Sequence, residues 1–361
     1  SGFHRMAGRW PPLPIEQSPV ESTSASQPEL PMAPIGALLT HPVLQRPLLQ
    51  AVICVTGYLF HVCFLSKRSL GRRGPGLDTV AGLVVMGLVM WERRRQGSSL
   101  IPTWIFGHVT KDISDAAGES LNLNDAPKTE KIRLLVTAVL TLLAPLFFAF
   151  LSPVLSVLPY LLALVLPVTE SFLMGARLLV EQLTLYYILF RLIGSRHAPF
   201  FRGRWVRWGW KRPWLAPVLG GYTVSLTLFN LIEPLNQALL PHLAYAPDGP
   251  VALLANPADK SLLSLLIASI TPCLGAPVFE EVQSRAFVLQ ALTAAVPLRA
   301  ALVISGFLFG LQHLQLGLLL PLSVTGFFWG VMYVYTGNLL VPILIHALWN
   351  ARVFLGSYWG L

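Results

Sequence analysis

Charged residues are scarce in this 361-residue chain, where they make up 12% of the sequence. A soluble domain usually carries about 25%. Hydrophobic residues make up 54%, and several apolar runs approach or exceed the length of about 20 residues that a transmembrane helix needs. This composition excludes an ordinary soluble domain. It predicts an all-α polytopic membrane protein, a bundle of about eight or nine transmembrane helices.

Cysteine is also rare, and the chain contains three: Cys54, Cys63 and Cys273. Their spacing matches neither a metal-binding motif nor a disulfide framework. The first two fall on one predicted span and the third on another. We therefore interpret all three as small apolar packing residues.

The net charge of +9 does not indicate nucleic-acid binding, because the basic residues form short clusters beside apolar runs. That distribution is typical of the positive-inside pattern of membrane proteins. The densest cluster lies in residues 195–214, where Arg and Lys alternate with Trp. Beside a membrane, this mixture favours an interfacial belt that faces anionic headgroups over a site for single-stranded nucleic acid. The predicted surroundings are therefore a lipid bilayer, with no nucleic-acid partner.

The chain divides into three predicted regions. Residues 1–46 form a Pro- and Ser-rich tail without periodicity, which is either disordered or held by docking on a partner subunit. Residues 47–260 form an N-terminal transmembrane region that contains the basic, Trp-rich loop. Residues 261–361 form a more apolar core. The composition near the start suggests import into an organelle, so we expect a plastid or thylakoid membrane or the endoplasmic reticulum.

The scarcity of charge is greatest after residue 260, where Asp and Lys are absent and Glu occurs twice, as Glu280 and Glu281. Arg285 follows within six residues. A charge at the bilayer centre costs about 2.5–3.5 kcal/mol on insertion scales, so such a cluster indicates function. In a helix, Glu281 and Arg285 are i,i+4 and pair on one face, whereas Glu280 is rotated by about 100°. This leaves Glu280 as the candidate general base, with Glu281 as a structural partner.

Two later helices carry further polar residues, each with a neighbour one turn away: His313 with Phe309, and His346 with Asn350. Together with Glu280 they predict a water-filled cavity inside the bundle. Glu280 and His313 would hold and deprotonate a water, while His346 and Asn350 would donate hydrogen bonds to a developing oxyanion. Alternatively, Glu280, His313 and His346 could bind a divalent metal such as zinc. Spacing alone does not separate these two interpretations.

The motifs Glu-Glu-x-x-x-Arg, Phe-x-x-x-His and His-x-x-x-Asn, in this order over residues 280–350, resemble those of the CPBP intramembrane proteases. This family includes the type II CaaX prenyl endopeptidases and the Abi proteins. The resemblance covers about residues 260–355 and implies a four-helix catalytic core at the C-terminal end. It also implies a glutamate- or metallo-endopeptidase that cleaves a membrane-associated, including a prenylated, protein.

By the same resemblance, Glu280 and His313 would activate water. His346 and Asn350 would stabilise the oxyanion. The site would be supported by Glu281, Arg285 and Phe309. The family also contains non-catalytic members. The long region before the core therefore leaves open a second hypothesis, a scaffold subunit or assembly factor of an organellar membrane complex such as one of plastids.

Overall fold

A computed structural model describes the main apolar parts of the chain, which are helical. The described residues are 46–65, 76–95, 97, 127–155, 157–165, 170–194, 209–210, 214–241 and 262–359. The predicted tail lies outside these residues except for its last position. Most of the basic, Trp-rich loop lies outside them too, so the predictions for the tail and the loop stay predictions.

The described residues form helices with no strand among them, which confirms the all-α prediction. In chain order they are α1 (Pro47–Phe60), α2 (Leu77–Arg95), α3 (Lys128–Leu155), α4 (Val157–Ala163), α5 (Glu170–Leu189), α6 (Leu215–Leu239), α7 (residues 262–293), α8 (Leu298–Gln312), α9 (Leu319–Thr336) and α10 (Leu340–Trp359). Short π-helical turns extend α1 and α5.

Five of the described helices are long and apolar enough to cross a membrane. These spans are Pro47–Leu65, Phe172–Ile193, Leu215–Leu239, Leu265–Thr293 and Leu316–Thr336. Two shorter apolar helices, Leu298–Gln312 and Leu340–Gly356, accompany them. The sequence prediction of eight or nine spans also counted these two, together with α2 and α3. The chain is thus a polytopic helical membrane protein.

Polar side chains join α1 to α6 and α2 to α10. The Oε1 atom of Gln50 on α1 accepts hydrogen bonds from the backbone N–H groups of Trp214 and Leu215, both at 3.0 Å. It thereby caps the first turn of α6, whose N–H groups have no partner inside the helix. In the first turn of α2, Asp78 forms an ion pair of 2.9 Å with Arg352 on α10. The N-terminal region therefore holds α10, the helix that carries His346 and Asn350.

Two Gly-x-x-x-Gly motifs bring α8 and α9 into close contact. Gly306 and Gly310 lie one turn apart on α8, as do Gly326 and Gly330 on α9. A Cβ atom at Gly306 would lie 2.7 Å from the backbone nitrogen of Phe327. Small residues at this spacing allow helix backbones to approach in a membrane, so the contact requires glycine.

Replacing Gly306 with Ala is expected to destabilise the protein by about 1–3 kcal/mol, because the added methyl group must push the two backbones apart. The matched control is Gly87→Ala on α2, where an added Cβ meets no atom within 4 Å. There, higher helix propensity should leave stability equal or raise it by up to about 1 kcal/mol. Unfolding in detergent micelles measures both variants, and equal effects at the two positions would contradict the close packing.

Candidate active site

The long helix α7 presents the two adjacent carboxylates on an irregular stretch of backbone. Its α-helical segment Ala276–Glu281 lies between two π-helical turns, Thr271–Gly275 and Val282–Val288. Such turns are rare in proteins overall, and those that do occur are often found at functional sites. The two glutamates therefore lie where the helix departs from regular geometry on both sides.

Glu281 is completely buried in a polar network. Its Oε2 atom lies 3.0 Å from Nε of Arg285, and neither side chain is exposed to solvent. Its Oε1 atom lies 3.0 Å from Nδ1 of His346 on α10. Because a carboxylate oxygen accepts hydrogen bonds, Nδ1 of His346 is the donor. One carboxylate thus binds both the arginine on its own helix and a histidine from another.

Glu280 points to a different place and is more accessible, with 21% of its side chain exposed. Its Oε2 atom lies 3.6 Å from Nε2 of His313 and 4.0 Å from Nε2 of His346. This oxygen is buried, yet it has no hydrogen-bond partner in the described part of the chain. A buried polar atom without a partner is commonly satisfied by an ordered water. The space between Glu280 and the two imidazoles therefore has the polar lining that an ordered water requires.

His313 has a defined tautomer because of where its helix ends. Its Nδ1 atom lies 2.7 Å from the carbonyl oxygen of Phe309, so Nδ1 carries the hydrogen and donates it. Nε2 is then the ring nitrogen that faces Glu280. Leu314 follows with a φ of 55°, a left-handed conformation that is uncommon outside glycine. His313 is thus the C-cap of α8 and is followed at once by this left-handed residue, and strained backbone of this kind clusters at functional sites.

The aromatic ring of Phe309 packs among the charged groups. The guanidinium carbon of Arg285 lies 4.7 Å from the ring centroid, a distance at which a cation is attracted to the π-system. The rings of His313 and His346 lie at 4.9 and 5.9 Å in edge-on orientation. Phe309 therefore contacts the buried guanidinium and both imidazoles of the site.

Asn350 has a contact that the sequence interpretation did not anticipate. Its Nδ2 group donates a hydrogen bond of 2.8 Å to the carbonyl oxygen of Pro272. In the first π turn, the N–H of Ala276 bonds to the carbonyl of Thr271, five residues back. The next bond of that register would need an N–H at position 277, which is a proline and has none. Asn350 therefore supplies the missing donor, using one of the two hydrogens of its amide.

The structure thus brings Glu280, His313 and His346 together, whereas Asn350 bonds to the neighbouring backbone of α7. Within the ranges that the structure describes, no group of three or more His, Cys, Asp or Glu side chains is arranged to hold a metal ion. Cys54, Cys63 and Cys273 are free thiols.

One contact of the site was missed by sequence reasoning. The indole of Trp329 on α9 lies against the imidazole of His346, with ring centroids 4.5 Å apart and planes inclined by 35°. Trp329 carries no charge and lies among other apolar residues, so nothing in its own position signals a role. The Gly-x-x-x-Gly motif that surrounds it, Gly326 and Gly330, is the available signal, since it marks the face of α9 that packs most closely.

Comparison with known proteins agrees with the resemblance inferred from the sequence. Residues 262–352 match the family model described as type II CAAX prenyl endopeptidase Rce1-like. This segment is about a quarter of the chain and contains all the predicted site residues, while α1–α6 precede it. No curated protein and no solved structure gave a match. The C-terminal helices are therefore similar to the Rce1-like model, which is consistent with the CPBP family, and protease or hydrolase is the class of activity that this match suggests.

Proposed function

We propose that this protein is an intramembrane endopeptidase that hydrolyses a peptide bond in a membrane-associated protein. The observation that carries the proposal is the unpartnered Oε2 atom of Glu280, which faces the Nε2 atoms of His313 and His346. These three side chains come from three helices of an apolar bundle. Such a convergence has no packing advantage, but it suits the activation of water next to a buried peptide bond.

In the proposed mechanism, Glu280 and His313 are both hydrogen-bond acceptors. A water between them donates one hydrogen to each, so its oxygen lone pair is directed at the substrate carbonyl carbon. Glu280 takes the proton as the carbon–oxygen bond forms, and it later protonates the leaving amine as the carbon–nitrogen bond breaks. A positioned general base of this kind accelerates a reaction by about 100- to 10,000-fold.

His346 and Asn350 are proposed to stabilise the oxyanion. Since Nδ1–H of His346 is bound by Glu281, His346 can donate from Nε2 only in its imidazolium form, which has a hydrogen on both nitrogens. The Glu281 carboxylate, 3.0 Å from Nδ1, holds the ring so that Nε2 is directed toward Glu280. Asn350 would contribute the amide hydrogen that is not bonded to Pro272. Preorganised donors of this type act strongly where water is excluded.

We propose a mechanism in which side chains alone activate the water, with no step through a metal ion. The alternative in which Glu280, His313 and His346 bind zinc makes a different prediction. Activity that rests on side chains alone should survive treatment with a chelator, whereas activity that needs a metal should be lost and then restored by adding the ion.

The name of the matched family indicates a substrate class to test, a C-terminal CAAX peptide with a prenylated cysteine. The protein would be reconstituted in liposomes and given the same peptide with and without a farnesyl group. We expect a single cleaved bond, faster cleavage of the farnesylated peptide, no loss with chelator and cleavage at least about 100-fold slower with Glu280→Gln. The same products at the wild-type rate from the Glu280 variant would overturn the proposal. No product from folded wild-type protein with any membrane-anchored peptide would favour a non-catalytic subunit.

A further inference from the structure

A hydrogen-bonded connection runs from α6 to the buried histidine of the site. The Nε1–H group of Trp329 donates to Oγ of Ser225 on α6 at 2.8 Å. The Ser225 hydroxyl in turn donates to the carbonyl oxygen of Gly221 at 2.7 Å. Neither side chain is accessible, with 0% of Ser225 and 2% of Trp329 exposed. The orientation of the indole is therefore fixed by α6, a helix that precedes the matched segment.

The other end of this connection is His346. The face of the Trp329 indole lies 4.5 Å from the imidazole, while Nδ1 of the imidazole is bound by Glu281. The hydrogen bond to Glu281 alone leaves the ring free to tilt about the Nδ1 direction. The indole restricts that tilt, and with it the direction in which Nε2 points toward Glu280.

The packing of α6 leaves little room for another arrangement. A Cβ atom at Gly221 would collide with the side chain of Ile345, the residue next to His346. The backbone of α6 thus approaches α10 directly beside the histidine, and Ser225 lies one turn further along the same face. This spacing places the Ser225 hydroxyl within hydrogen-bond distance of the Trp329 indole nitrogen.

We infer that Ser225 is a positioning residue of the active site, which sets the orientation of His346 through Trp329. The inference rests on the proposed function, because it assigns this contact a role in the hydrolytic reaction. Ser225 does not touch the reacting atoms. Its contribution is to give the buried indole N–H a single partner, since leaving that group unsatisfied is costly and the ring would turn to find another.

Ser225→Ala is expected to lower kcat roughly five- to fiftyfold, because small displacements of catalytic groups have effects of this size. KM should stay within about twofold, since substrate binding is not changed. The matched control is Thr227→Ala on the same helix. Thr227 is also fully buried, and its hydroxyl donates to the carbonyl of Thr79 on α2 instead. This variant loses a comparable buried hydroxyl and should keep wild-type kcat.

A double variant separates positioning from general weakening of the fold. Trp329→Phe removes the indole N–H group that Ser225 binds. Adding Ser225→Ala to Trp329→Phe should therefore cause no further loss of kcat. Coupled residues give such non-additive effects, whereas independent ones add. Additive losses in kcat, or equal losses for Ser225→Ala and Thr227→Ala, would overturn the inference.

A readout that does not depend on proteolysis is the nitrogen NMR spectrum of the histidine side chains. The signals of His346 are identified by their loss in His346→Gln. Ser225→Ala should shift or broaden these signals and leave those of His313 unchanged, while Thr227→Ala should change neither. Unchanged His346 signals in Ser225→Ala would reject the inference even if the protein is a protease. Shifted signals together with full activity of Glu280→Gln would reject the proposed function and leave the Ser225 contact supported.

Discussion

Replacing Glu280 with Gln is expected to lower the rate of peptide cleavage by roughly 100- to 10,000-fold, the contribution of a positioned general base. Gln keeps the size and the hydrogen-bonding shape of the side chain but does not accept a proton. The stability of the protein should change little, because the Glu280 carboxylate is 21% exposed and its Oε2 atom lies 3.6 and 4.0 Å from histidine nitrogens, without a short hydrogen bond to either. Single-turnover cleavage in liposomes, together with thermal unfolding in detergent, measures both quantities.

Glu181→Gln provides the matched control for this variant. Glu181 lies on the neighbouring helix α5, its side chain is 17% exposed, and it forms an ion pair of 2.9 Å with Arg177. Its substitution removes a carboxylate of similar burial but outside the group that faces His313. Wild-type cleavage by Glu181→Gln and loss in Glu280→Gln would assign the effect to the site. Cleavage that survives in Glu280→Gln would show that another group activates the water.

The division between the two adjacent carboxylates could be predicted from helical geometry alone. Residues four apart share a face, so Glu281 was expected next to Arg285, and the structure places these side chains 3.0 Å apart. The role of His346 could not be predicted in the same way. It was expected to act with Asn350, but its Nδ1 atom is bound by Glu281. Spacing within one helix says nothing about which side chain of a second helix it will meet.

The position of Asn350 shows a second limit of sequence reasoning. Helical spacing placed it on the same face as His346, which is correct for a regular helix. Its partner, however, is decided by an irregularity of another helix, the π turn at Thr271–Gly275 followed by Pro277. A buried backbone carbonyl that lacks its helical partner needs another hydrogen-bond donor, and Asn350 supplies it to Pro272. The prolines of α7 were visible in the sequence, but the helix register that frees the Pro272 carbonyl was not.

The fold around the site follows from features that are partly local and partly not. The apolar runs specify the helices, and the two Gly-x-x-x-Gly motifs identify the faces of α8 and α9 that can pack closely. Contacts such as Asp78 with Arg352 or Ser225 with Trp329 join residues more than 100 positions apart. They depend on how the helices are arranged in space, and that arrangement is not contained in the periodicity of any one segment.

Replacing Glu281 with Gln is expected to cause the largest loss of stability, about 3–5 kcal/mol, because it leaves the buried Arg285 without an anionic partner. Both side chains are fully buried, so water cannot solvate the guanidinium that remains. The cation–π contact with the Phe309 ring at 4.7 Å compensates only partly, being worth about 2 kcal/mol in a desolvated site. The yield of folded protein and the unfolding temperature in detergent should both fall clearly below those of Glu280→Gln.

The double variant Glu281→Gln with Arg285→Met tests whether this loss comes from the unpaired charge. Replacing both members of a buried ion pair with uncharged groups is often neutral or stabilising, so the unfolding temperature should recover most of its wild-type value. Cleavage should not recover, since the carboxylate that binds Nδ1 of His346 at 3.0 Å has been replaced. A stable Glu281→Gln single variant would show that Arg285 finds another partner. Full activity in the double variant would show that His346 acts without the Glu281 carboxylate, and the assignment of the two glutamates to separate roles would then be wrong.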